Sequence, residues 1–270
     1  MSTTGRGLGD RLGAVDQALL APVARGYRRI FGGRRRPHGL TVAACLVAAL
    51  AVSVAVWQAD RAAPAADLSG GQVVRVGVAQ GASIPGYADA SRSELHSLAA
   101  GGAAESYALI TFTAYLAPDR LTPILGGVSV AAVYVRLPLA GAQTEIVRIP
   151  VTKVPVDVVT GMDQIADRKG REAGQYADRL RAEGDPELQA VYRAGERLAA
   201  AEHEAYAEHC ACAYAAVVRA TPAALEQIAA RPDVRVVDAA PEVRRLDRAV
   251  FWPPLPEQRT VAVPPGDAAS

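Results

Sequence analysis

The chain contains no asparagine, and only two of its 29 basic residues, Lys153 and Lys169, are lysine. Alanine, arginine, glycine and proline are abundant in their place, which is the signature of GC-rich coding. The many arginines are therefore not, by their number, a recognition surface. Signatures of common catalysts are missing too: there is no Gly-x-Ser-x-Gly elbow, no phosphate-binding glycine loop and no His-Glu-x-x-His pair. That removes the usual motif-borne hydrolase, nucleotide and zinc-protease chemistries. Asp163, Asp167, Glu202, Glu204 and Glu208 fall on charged helical faces and are expected to be solvated; paired carboxylates working as acid and base would need a cleft. No cofactor is implied. Cysteine is scarce, at three residues in 270.

Net charge is also small, +1, but it is unevenly placed. Residues 1–38 hold eight arginines against Asp10 and Asp16, a net +6, so the remainder carries −5. The division coincides with a charge-free run from Leu40 to Trp57, LTVAACLVAALAVSVAVW. At 1.5 Å per residue it would extend ~27 Å as a helix, close to the hydrocarbon thickness of a bilayer. Arg28, Arg29, Arg34, Arg35 and Arg36 precede it, and Trp57 stands where an interfacial aromatic belongs. The positive-inside rule then places residues 1–39 in the cytoplasm, a transmembrane helix at 40–58 and the rest outside the cell membrane. A cleaved signal peptide is the rival reading. It would need a very long n-region, and QADRAAPAA after the run has no well-placed cleavage signature. Upstream, Leu12, Val15, Leu19, Leu20, Val23, Tyr27, Ile30 and Phe31 recur at helical spacing with arginines opposite. This describes a basic amphipathic helix, kinked at Pro22, lying against anionic lipid. Lipid is the better counter-charge for these arginines, and nucleic acid is not expected as a partner.

After an Ala/Pro/Gly linker at 59–71, an extracytoplasmic α+β domain is expected over 72–250. QVVRVGV (72–78) reads as a strand, followed by a loop at Pro85-Gly86. A short helix opens at Ser91 with Glu94 completing a capping box, and Gly101-Gly102 ends it. Two later segments share one grammar of strand, proline-started short helix and strand: 107–137 and 212–238. Counted from Pro118 and Pro222, leucine recurs at the third following position (Leu121, Leu225) and isoleucine at the sixth (Ile124, Ile228), which puts both on one helical face. Two such units predict a ferredoxin-like, split βαββαβ sandwich. Residues 144–151 add a hairpin strand. Between the units, apolar stripes at Met162, Ile165, Tyr176 and Leu180, and at Leu188, Val191, Leu198 and Tyr206, predict an inserted helical hairpin at about 157–208. Its turn is GDPE, a stop, a cap and a first-turn proline. Residues 251–270 form a Pro-rich tail whose Phe251 and Trp252 are expected to pack on the domain, with the last ten residues disordered.

The segment VVRATPAALEQIAARPDVRVVD resembles the closing half of the subtilisin prodomain (peptidase-inhibitor) family, and is similar to extracytoplasmic domains of bacterial cell-division permeases. The likeness spans under thirty residues, at apolar positions that define a fold. It implies a ferredoxin-like domain and, more remotely, protease inhibition or assistance in folding. No protease domain follows, and a single span does not make a permease.

The one cluster with chemical character is EAYAEHCACAYAAVV (204–218). His209, Cys210 and Cys212 offer three metal ligands without an evident fourth. Cys210 and Cys212 are also candidates for a disulfide in an oxidising exterior, if the strand bends; extended Cα atoms two apart lie ~6.6 Å apart. Buried packing as small apolar groups is the third possibility. Cys45, within the hydrophobic run, can pair with neither. His38 lies in the basic flank, and His96 on the short capped helix. The sequence thus points to a membrane-anchored, non-enzymatic protein that binds an envelope protein or another copy of itself. The alternatives are a prodomain-like inhibitor or folding helper, and a metal- or thiol-dependent activity at His209, Cys210 and Cys212.

Overall fold

The computed structural model describes residues 73–263, all within one compact unit that spans Ser69–Ser270. The amphipathic segment, the expected span with Arg28, Arg29, Arg34, Arg35, Arg36 and Trp57, and the linker at 59–71 lie outside the described residues. No helix among the described residues is long and apolar enough to cross a membrane.

The domain is mixed α+β. In chain order its elements are β1 (Val74–Gly77), α1 (Ile84–Ala100), β2 (Ser106–Leu116), α2 (Pro118–Leu125), β3 (Ser129–Val135) and β4 (Val147–Pro150). They continue with α3 (Val156–Ala182), α4 (Pro186–Ala207), β5 (Ala213–Ala220), α5 (Pro222–Ala229), β6 (Val234–Ala240) and β7 (Ala249–Trp252). Five strands form one sheet in the order β4-β3-β5-β2-β6, every neighbouring pair antiparallel. β1 and β7 make a separate parallel ribbon.

The internal repeat appears as β2–α2–β3 and β5–α5–β6. Pro118 and Pro222 each occupy the first helical turn, where a missing N–H costs no hydrogen bond. Leu121, Ile124, Leu225 and Ile228 are all buried in one apolar cluster with Ala108, Ile110 and Phe112 of β2. α1 contributes Leu95 to that cluster, and α3 contributes Val158, Met162 and Ile165, so the helices share one face of the sheet. Period-2 alternation sends Leu109, Ala215 and Val217 to the other face. There they meet Val76 of β1, Phe251 of β7 and Leu255.

The alternation breaks once in β5. Tyr134 pairs with Ala215 and Val135 with Ala213, so Tyr214 is an extra residue in the ladder. Such a bulge re-aims a side chain; here Tyr214 and Ala215 both belong to the second face. Rings of Tyr115 and Tyr134 flank Tyr214 at centroid distances of 5.9 and 6.4 Å.

Three expectations are corrected. α1 does not open at Ser91; it begins at Ile84, capped by Ser83, whose Oγ accepts from the Gly86 N–H at 3.2 Å. Pro85 sits in its first turn, a helix-starting place rather than a loop signal, and Ser91 is buried mid-helix. The tail folds back on the domain as expected, but the disorder expected from residue 261 onward does not hold for residues 261 and 262. Val261 bridges Ser83, the Ile84 N–H donates to the Thr260 carbonyl, and Ala262 exchanges two backbone hydrogen bonds with Gly81 and Ala82. Phe251 is buried, but Trp252 is 43% exposed, its ring covered by the Arg75 guanidinium at 5.2 Å.

Residues 253–262 therefore form a strap over the second sheet face. Polar pins hold it: Arg235 donates to the carbonyls of Leu255 (3.2 Å) and Gln258 (2.6 Å). Arg136, 5% exposed, donates from Nη1 to Glu257 Oε1 (2.6 Å) and to the Tyr115 hydroxyl (3.0 Å). Burial opposes the charge of Arg136, but Tyr115 and Glu257 reverse this and raise its pKa. Burial pushes the Tyr115 phenol up to about 12, so it remains a neutral donor to Glu257. On the β1 side, the Gly77 N–H (3.0 Å) and the Tyr87 hydroxyl (2.9 Å) both donate to Asp238 of β6. Gly77 has φ +113°, and a Cβ there would lie 2.3 Å from the Trp252 carbonyl oxygen. Only glycine lets the two ribbon strands approach so closely.

Candidate functional site

The helical hairpin α3–α4 divides into a buried base and a bare distal half. Every buried residue of α3 lies between Val158 and Lys169, and those of α4 are Ala199, Glu202 and Tyr206. No residue from 170 to 198 is buried. Thirteen residues of α3 follow Lys169's turn, from Gly170 to Ala182, and at 1.5 Å each they carry the helix ~20 Å further.

Glycine sets the approach of the two helices. Tyr176 lies against Gly195, where a Cβ would come within 2.8 Å of the ring, and His203 lies similarly over Gly170. The tip is closed by its own side chains. Asp185 accepts from the N–H groups of Glu187 (2.7 Å) and Leu188 (3.4 Å), and Glu183 accepts from those of Gly184 and Asp185. Two apolar residues expected on an inward stripe face solvent instead: Leu188 is 44% exposed and Val191 60%. They are one helical turn apart, so they share a face. The hairpin thus presents a fixed, partly apolar tip.

At the base, Lys169 and Glu202 are 6% and 2% exposed, which corrects the expectation that Glu202 is solvated. Lys169 Nζ lies 2.8 Å from Glu202 Oε2, 3.2 Å from Glu172 and 3.3 Å from Glu145; Arg168 holds Glu145 at 2.7 Å. Burial opposes ionisation of Lys169, but the bond to Glu202 and the other carboxylates raise its pKa. Burial likewise opposes the Glu145 charge, and Arg168 overcomes it, so Glu145 titrates low. Lys169 is therefore an ammonium without a lone pair, suited to clasping helices and not to nucleophilic attack. The Tyr206 hydroxyl and Glu202 Oε1 are buried beside it without a hydrogen-bond partner among the described residues. Sequence reasoning missed this clasp. The signal was present in the residue type, since this chain uses arginine almost everywhere and lysine here.

The His-Cys-x-Cys stretch lies just beyond α4, in a turn rather than on β5. The Cys210 N–H donates to the Ala205 carbonyl and the His209 N–H to that of Tyr206, the double closure of a Schellman motif. His209 takes the left-handed position, φ +52°, that glycine usually fills. The turn brings the Cys210 and Cys212 Cα atoms to 5.3 Å, and their sulfurs are joined in a disulfide. Cys212 is fully buried. With both thiols consumed, His209, Cys210 and Cys212 are not assembled as metal ligands; His209 Nε2 bonds Asp163 Oδ1 at 2.9 Å instead. Among the described residues no three His, Cys, Asp or Glu side chains are grouped to hold a metal ion. His96 sits on α1 with Nδ1 3.1 Å from Glu226 of α5. The arrangement ties the end of α4 to α3 through His209–Asp163 and to the start of β5 through the disulfide.

The described residues thus present a hairpin braced at its base, with Leu188 and Val191 exposed near its tip. Compared with family models, curated proteins and solved structures, the chain matches none.

Proposed function

We propose that this chain is a membrane-anchored, non-enzymatic protein of the bacterial cell envelope, whose exterior domain binds an envelope protein or a second copy of itself through the α3–α4 hairpin. One observation carries the reading: a hairpin braced at its base by buried ion pairs projects a tip with Leu188 and Val191 exposed. The distal half of this hairpin, residues 170–198, adds no buried residue to the core, so its regularity is better explained by contact with a partner. The charge-free run at 40–57 with its arginine flank supports the anchor. The Cys210–Cys212 disulfide supports an oxidising exterior.

We further read the domain as a ferredoxin-like sandwich. The strand order β3-β5-β2-β6, all antiparallel, with α2 and α5 on one face, supports it. β4, the hairpin, the β1–β7 ribbon and the strap are then additions. The prodomain-inhibitor reading rests on the short sequence resemblance and is kept as the alternative outcome.

The test is site-specific photo-crosslinking in living cells, with a photoreactive amino acid at position 188 or 191 and mass spectrometry of the adducts. A defined partner, or the chain itself, is expected at both positions and not at exposed position 96 on α1. Ordinary enzymatic turnover by the purified protein, tight inhibition of a subtilisin-type protease, or absence of any tip-specific adduct each overturns the reading.

A further inference from the structure

Beneath the strap lies a cavity of about 290 Å³. Tyr134 and Tyr214 line it from the sheet, Phe251, Trp252 and Leu255 from the strap side, and Ile146 stands near the sheet edge. No charged side chain lines it. Its wall is not loose: Arg235, Gln258 and the exchange between Ala262 and Gly81–Ala82 fix the strap at several points. A preformed, mostly apolar hollow with a few polar groups is what small-molecule sites look like.

Two features separate it from a packing defect. First, Tyr214 is 1% exposed, yet its hydroxyl has no hydrogen-bond partner among the described residues. A tyrosine so placed usually bonds through its hydroxyl, and this one lines the cavity, where an occupant can reach it. The bulge in β5 is what turns this ring to the strap face, so the geometry that brings the hydroxyl to the cavity is itself a departure from the regular ladder. Second, exposed apolar residues gather at the rim. Ile146, Trp252 and Val263 are 39%, 43% and 56% exposed, and all three line the cavity. An occupant longer than the hollow would continue over an apolar lip.

We propose that this cavity binds the apolar chain of an amphiphile, a fatty acyl or comparable aliphatic chain, with the Tyr214 hydroxyl bonding one polar acceptor of the ligand. The chemistry narrows the class. The lack of lining charge disfavours an ionic ligand buried whole, and the few polar side chains of the lining, Gln80, Tyr134, Tyr214 and Gln258, suit a molecule with few polar atoms. The apolar rim suits an elongated chain that leaves the hollow at one end. The burial of Tyr214 keeps its phenol neutral, with its pKa raised far above the ordinary value, so it can donate. The chain could be donated by a membrane lipid or by a free fatty acid. The proposal does not depend on the hairpin's having a partner.

The test uses the full chain in detergent-free lipid nanodiscs, since detergent would compete for an acyl site. Two probes are used in parallel, a palmitic acid with a diazirine near its methyl end and a phospholipid carrying the same chain. After irradiation, adducts are mapped by mass spectrometry. Adducts are expected within residues 251–263 or on Tyr134 or Tyr214. Tyr214→Phe, which keeps the ring and therefore the packing, is expected to lower their yield roughly three- to tenfold, the worth of one hydrogen bond. Ile146→Trp, a substitution at an exposed rim position, is expected to narrow the mouth and lower it at least as much. Adducts there from either probe that fall in either variant uphold the proposal, and the probe that gives them names the source. No adduct there from both probes, or adducts unchanged in both variants, overturns it.

Discussion

The two faces of the five-stranded sheet are held in different ways. On one face five helices bury a continuous apolar cluster, in which Leu121, Val133, Met162 and Leu225 are fully enclosed. On the other, a two-stranded ribbon and an irregular strap are fixed by a handful of polar pins: Asp238, Arg136–Glu257 and Arg235. Helix packing is redundant, with every apolar residue touched from several sides, so it leaves little space. A strap has no apolar stripe of its own with a regular period. It satisfies backbone groups one at a time and leaves a hollow between pins. The helix face is where stability resides, and the strap face is where a ligand can enter.

The sharpest way to break this contrast is truncation on both sides. Leu225→Ala on the helix face is expected to destabilise the protein by about 2–5 kcal/mol, and Leu255→Ala at the cavity wall by less, because its side chain already adjoins empty space. Chemical denaturation of the two variants measures the difference. Equal losses would mean that the strap is as densely packed as the helices.

The next effect is pH dependence, and it belongs to the strap side. Burial raises the Asp238 carboxyl from 3.8 to about 6, with Glu94 and Glu242 adding to the shift, despite the donations from Tyr87 and Gly77. A group whose folded pKa is raised favours folding when protonated. Its contribution is complete below pH 3.8 and is lost as pH rises through about 6. Two units correspond to roughly 3 kcal/mol at most. Asp238→Asn keeps an acceptor for Gly77 and Tyr87 and cannot ionise. It is expected to match wild type near pH 4, to exceed it near pH 7.5, and to flatten the wild-type decline between them. Thermal unfolding across that range reads this directly; parallel curves would remove Asp238 as the cause.

Smaller again is the hairpin base. Glu202→Gln removes one charge from a clasp in which Lys169 keeps Glu145 and Glu172, at 3.3 and 3.2 Å. A loss of about 1–3 kcal/mol is expected by denaturation, with fraying of the hairpin visible as faster amide exchange around residues 166–170. Exchange unchanged there would show that the helices hold through Tyr176 and His203 alone.

How much of this was legible depended on whether the cause was local. The paired Pro-x-x-Leu-x-x-Ile helices were visible because a short amphipathic helix on a sheet announces itself by spacing, and the GDPE turn because capping and first-turn proline act within four residues. α1 was misplaced because Pro85 reads equally as a break or a helix start, and Ser91 mimicked a cap. Glu202 was read as solvated because helical periodicity says which residues share a face, not which face meets a lysine 33 positions away. Tyr214 could not have been singled out at all. Its exposure to the strap comes from a bulge, set by how three strands settle into register, and its neighbours come from residues 115, 134 and 251.

The smallest expected effect is at the hairpin tip. Leu188 and Val191 touch little, so Leu188→Asp and Val191→Asp are each expected to shift stability by no more than about 0.5 kcal/mol, the usual range for surface changes. If the tip is a docking element, the same substitutions place a charge where a partner must be desolvated, and partner capture in cells is expected to fall tenfold or more. The pairing of those two outcomes is what discriminates. Loss of capture together with loss of stability would mean that the tip is part of the fold after all. Intact capture with intact stability would move the contact elsewhere on the domain. Only capture lost from a domain as stable as wild type leaves the projecting half of α3–α4 with recognition as its role.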